Sequence, residues 1–147
     1  MPTLTDMLGT APKRDQVVAD ACRVLDEEVS DKGGLSGLAI KGAYAVVKGI
    51  KPGFVKEVVD GLLDEFLTCL DPLYQESVTR GVKAGAHLQA NAGRVADALL
   101  AVTDAKAARS SRAVVKSTYE KLRPTAKKQV EAAAPRLGGL LDRHVSG

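Results

Sequence analysis

Two cysteines, two histidines and a run of carboxylates are the groups in this 147-residue sequence with chemistry to offer. Cys22 and Cys69 stand far apart, without the short spacing of a metal or redox pair. His87 and His144 are also single, so the i,i+4 pair that grips zinc from one helix face is missing. Acid–base catalysis needs an imidazole aimed by a partner, and the sequence shows none. The expectation is reduced, core-packed cysteines, a surface or half-buried His87, and a His144 that favours the dipole of the last helix turn. Gly34-Leu35-Ser36-Gly37-Leu38 falls one residue short of the GxSxG nucleophile elbow, with no strand leading in. A phosphate-cradling P-loop needs a Gly-Lys pair, which the sequence lacks. No catalytic residue, cofactor site or metal site is assigned, and a non-enzymatic protein is expected.

Charge is the stronger signal. Residues 1–75 hold 8 Lys/Arg and 12 Asp/Glu, whereas residues 76–147 hold 13 and 6. Glu57, Asp60, Asp64 and Asp71 form an acidic stripe. Spread along a helix, they suit a solvated face better than a calcium loop. The basic segment from Lys106 to Lys128 includes Arg109, Arg112, Lys116, Lys127 and Lys128, with Glu120 its only acid. Such a surface can track phosphates. No recognition helix or aromatic platform accompanies it, so nucleic acid ranks last among the partners. Arg109, Arg112 and Lys116 repeat the i, i+3, i+7 spacing of Glu57, Asp60 and Asp64. The two stripes are expected to face each other within one molecule.

These groups must be positioned by helices. Val17, Val18, Ala21, Cys22, Val24, Leu25 and Val29 share one helical face after the start signal Thr10-Ala11-Pro12. Gly34–Ile50 reads as a second, strongly apolar helix. Its Gly37, Gly42 and Gly49 cost about 1 kcal/mol each against Ala unless another helix approaches closely. Phe54–Leu70 carries an apolar arc wide enough for a central helix. Asp71-Pro72 reads as the cap and first residue of a new helix, with a break near Asn91–Gly93. A helix capped by Ser110 or Ser111 should end at Arg123-Pro124, and a last helix from about Thr125 should be kinked or interrupted at Pro135. No stretch reads as a strand.

The composition is that of an ordinary globular chain, with 45% hydrophobic residues, 27% charged residues, no Trp and a net charge of +3. The longest uncharged run, Ala84–Gly93, is far short of the ~20 apolar residues of a membrane span. The opening Met1-Pro2-Thr3 lacks the basic and apolar regions of a signal peptide, so a cytoplasmic location is expected.

Several stretches carry a resemblance. Asp31-Lys32-Gly33-Gly34-Leu35-Ser36-Gly37, Ala43-Tyr44, Lys51-Pro52-Gly53 and the run Val95–Ala105 are similar to an uncharacterised family of small actinobacterial and myxobacterial proteins. The resemblance implies a bacterial, self-contained domain and brings no activity with it.

The expected fold is therefore an all-α single domain over 1–147, a bundle of about six to eight helices with residues 1–10 as an arm or short helix. The leading expectation for function is binding to another protein or to a second copy of itself. The small-residue faces of Gly34–Ile50 and Tyr74–Leu88 are the candidate seams. The alternative is a lipid or acyl carrier, or a helical protein on a membrane surface, with the Pro135 segment as its movable part.

Overall fold

Apolar residues at helical spacing, punctuated by glycines, produce seven α-helices and no strand among the described residues. The structure, a computed structural model, describes residues 2–145; the side chains of Leu35 and Ser36 lie outside that description, and with them the elbow and apolar-face readings made there. The helices are α1 (Leu4–Leu8), α2 (Lys13–Asp31), α3 (Gly34–Lys48), α4 (Phe54–Arg80), α5 (Ala84–Ala90), α6 (Ala92–Arg109) and α7 (Ala113–Val145). Together they make a single all-α domain.

The short α1 is a plug. Thr3 and Asp6 close a capping box around its first turn, and Leu4 and Leu8 are fully buried. Asp71 on α4 accepts a hydrogen bond from the Leu4 amide at 2.9 Å. This explains why Asp71-Pro72 does not begin a helix. The Asp71 side chain serves α1, and α4 runs unbroken through Pro72. A proline inside a helix costs ~3 kcal/mol or more. Leu67, Leu70 and Leu73, each buried on either side of it, hold the helix together by packing. The break comes later, at Gly81, whose φ of +69° ends α4 in a left-handed cap. A second interruption falls at Asn91, inside the expected interval, where the Asn91 side chain donates to the His87 carbonyl.

The two prolines of α7 do not end it either. The helix continues through both Pro124 and Pro135. Before Pro124, Arg123 is tied to Asp104 of α6 at 2.8 Å. After Pro135, Gly138, Leu140 and Leu141 are buried. Pro135 does not interrupt the helix, which runs on to Val145. The close glycine contact lies elsewhere than foreseen. Gly42 faces open space, Gly37 crowds the backbone of Lys32, and the helix–helix approach occurs between Gly85 and Gly138. The Tyr74–Leu88 small-residue face is thus turned inward at Gly85.

Candidate functional site

Three helices turn apolar faces toward one space. On α2 these are Val17, Ala21, Val24 and Leu25; on α4, Val59, Leu63, Phe66 and Leu67. On α7, Leu122, Ala126, Val130, Ala133, Leu137 and Leu141 follow in steps of three and four. The space they enclose is an apolar cleft of about 370 Å³. That falls within the ~300–1,000 Å³ of small-molecule sites.

The cleft exists because α4 and α7 are held apart. No Cα of one comes within 8 Å of a Cα of the other, whereas helices in direct contact have axes only ~8–10 Å apart. The alanines at 126 and 133 are too short to bridge the gap. A second apolar space of about 240 Å³ adjoins it, sharing Leu25, Val29, Ile40, Val59 and Leu122 as walls. Its roof is α3, through Ala43, Tyr44 and Val47.

Charge enters at one place on the wall. Glu28 accepts from Lys32 at 3.1 Å and from Arg136 at 2.9 Å, and Arg136 also grips Asp31. The Glu28 and Lys32 side chains are mostly buried, at 13% and 16% exposure. No cysteine or histidine lines the cleft.

Residues 4–145 match the model of a family of unknown function, DUF6918. The chain belongs to that family. No curated protein and no solved structure matches the chain.

In this DUF6918 member the residues singled out by sequence are dispersed. Asp60 and Asp64 do not face the Arg109–Lys116 stripe; both bind Arg14 of α2, at 2.9 and 2.8 Å. Glu57 pairs with Lys51 across the turn before α4. Asp71 caps α1. Arg109 reaches Glu65 only at 3.9 Å, and the Arg112 guanidinium lies 5.3 Å from the Phe54 ring centroid. Lys127 pairs with Asp97 at 3.0 Å. Lys116 and Lys128 are exposed and make no ion pair among the described residues. Arg109 and Arg112 do share a separate groove of about 420 Å³ with Glu57, the one residue of the acidic stripe that lines it, and with Lys106, Phe54 and Tyr119.

Both histidines have carboxylate partners that the sequence did not reveal. His87 is buried, not on the surface, and its Nε2 lies 2.8 Å from Glu76, which also forms a fork with Arg94. Those hydrogen bonds, from Arg94 first and His87 second, hold the Glu76 carboxyl down at about 2. His144 Nε2 lies 2.9 Å from Asp20. Burial opposes ionisation of Asp20, but hydrogen bonds from Arg143, Arg23 and His144 outweigh it and keep the carboxyl below its ordinary range. The partners are far away in sequence, at i−11 and i−124, where no local spacing could announce them. These pairs join α4 to α5 and α6, and α2 to α7. The cysteines are reduced and partly buried against the core; burial raises both thiols, Cys69 to about 11. No three His, Cys, Asp or Glu side chains among the described residues gather as metal ligands would.

Proposed function

We propose that the protein binds a small molecule with an apolar chain, of the lipid or acyl class, in the cleft bounded by α2, α4 and α7. One observation carries this reading. The two longest helices turn leucines and valines toward each other without meeting, and leave an apolar space between them. Protein interiors rarely leave voids larger than a water molecule, so such a space invites an occupant. Each methylene buried there is worth ~0.8 kcal/mol. Glu28 and Lys32 on the wall, with Arg136 paired to Glu28 behind them, offer both charges to a polar end.

The walls also favour carriage over conversion. They present no thiol or imidazole, and Glu28, the one acid, is engaged by two cations. The partner-binding alternative loses one of its two candidate seams to internal packing at Gly85. Native mass spectrometry of gently purified protein tests the proposal. A bound mass that is released by organic extraction is expected. A single apo mass, with no uptake of added fatty acid, would overturn it.

A further inference from the structure

The most apolar long segment of the chain is also the worst covered. Among the described side chains of α3, none is buried apart from the glycine at position 37. Leu38 is 68% exposed and Val46 49% exposed, the first two of the few large apolar side chains left in solvent. With Ala39, Gly42 and Ala45 they make one outward arc of the helix. Ile40, Ala43 and Val47 make the opposite arc, which roofs the apolar space beneath. The helix is therefore apolar on two sides, and only the inner side has a partner.

Charge says what the outer side suits. From Lys32 to Lys56 the chain has five lysines and no acid. Lys41 and Lys48 lie together along one flank of the exposed arc. Lys48 has a distant partner in Asp26 at 3.9 Å, both side chains being 56% exposed. Lys51 pairs with Glu57 at 2.9 Å, again in solvent. Exposed pairs of this kind are weak and yield readily to a stronger anionic field. A second copy of the chain fits less well: an antiparallel two-fold contact through α3 would bring the two lysine flanks together, and a parallel one would leave those lysines without an anionic partner from α3. An anionic lipid surface answers both features at once, taking apolar side chains at the acyl boundary and lysines among the headgroups.

We propose that α3 docks on an anionic membrane through the face bearing Leu38, Val46, Lys41 and Lys48, which sets the roof of the apolar space adjoining the cleft against the bilayer. The docking stands on α3 alone; its use, taking up or releasing an acyl ligand, rests on the function proposed above. Gly34 and Gly53, with φ of +69° and +75°, bracket the segment and take the left-handed turns there without strain.

The experiment measures two quantities on the full chain. One is sedimentation with phosphatidylcholine vesicles, with and without about one-third phosphatidylglycerol. The other is loading of a fluorescent fatty acid in solution without vesicles. The native protein should sediment with the anionic vesicles, several-fold more weakly at high salt, and not with neutral ones. The double variant Leu38→Asp/Val46→Asp should lose at least tenfold in vesicle binding while still loading the probe. Val114→Asp on α7, also at an exposed valine, should change neither. Because the chain has no tryptophan, Leu38→Trp gives a second readout, a blue shift on anionic vesicles that Val114→Trp does not show. Absence of vesicle binding, or binding that the double variant retains, overturns the docking. So does a concentration-dependent dimer that Leu38→Asp/Val46→Asp abolishes, since the face would then belong to a second copy. Vesicle binding through α3 without probe loading leaves the docking standing and removes the carrier reading instead.

Discussion

Gly85 and Gly138 meet backbone to backbone where α5 crosses α7. A Cβ on Gly138 would lie 2.7 Å from the Gly85 Cα, and one on Gly85 would lie 2.9 Å from the Gly138 carbonyl oxygen. The Gly85 amide then donates to Asp142 at 3.0 Å, one turn further along α7. Leu88 on the same short helix is fully buried. The contact sets how closely α5 approaches α7.

Gly138→Ala should therefore destabilise the protein, by the ~1–3 kcal/mol typical of overpacking. Gly42→Ala is the control. Nothing lies within 4 Å of its added methyl, so a helix-interior gain of ~0.5–1 kcal/mol is expected. Thermal or urea melts of the two variants should move in opposite directions.

The acidic stripe makes a different pair from the one its spacing suggested. Asp60→Lys should cost stability, and adding Arg14→Glu should recover part of it at low salt. Adding Arg112→Glu should recover nothing. Coupling energies of ~0.2–1 kcal/mol are expected for such exposed pairs, read from a double-mutant cycle in denaturant.

Glu76 sets a pH dependence. Its carboxyl is lowered from 4.5 to about 2 by Arg94 and His87. A lowered folded-state value means the stabilisation is fully present above the unfolded value and is lost as pH falls toward the folded one. The stability difference between the native protein and Glu76→Gln should hold above about pH 4.5 and shrink progressively down to about pH 2. A difference that stays constant across that window would show that the carboxylate's charge is not what Arg94 and His87 hold.

The all-helical architecture was legible because α2 and the first half of α4 repeat apolar residues at regular spacing. Local stop signals misled where packing outweighed them. Pro72, Pro124 and Pro135 all read as boundaries, yet α4 and α7 run through them, with buried leucines on both sides of Pro72 and buried Ala134, Gly138, Leu140 and Leu141 around Pro135. Gly81, inside the Tyr74–Leu88 stretch offered as a seam, is instead the cap of α4. The carboxylate partners of His87 and His144 were illegible, since each pair is closed by tertiary packing. The cleft was illegible for a deeper reason. The same leucines and valines line a filled core and an open one, and only the separation of α4 from α7 distinguishes them.

The small residues that leave the cleft open offer a way to close it. Ala133→Phe should fill part of the space and raise stability by ~0.5–2 kcal/mol, as cavity-filling changes commonly do. It should weaken apolar ligands at the same time. A stability gain with undiminished binding would place the ligand elsewhere.

The most direct measurement is a titration of delipidated protein with straight-chain fatty acids of increasing length, following displacement of an apolar fluorescent probe. Burial in the cleft predicts that affinity rises roughly fourfold per added methylene, from ~0.8 kcal/mol each. The rise should then level off once the space between α4 and α7 is full, and Ala133→Phe should bring that plateau to shorter chains. No binding at any length, or affinities independent of chain length and unchanged by Ala133→Phe, would contradict a ligand in the cleft.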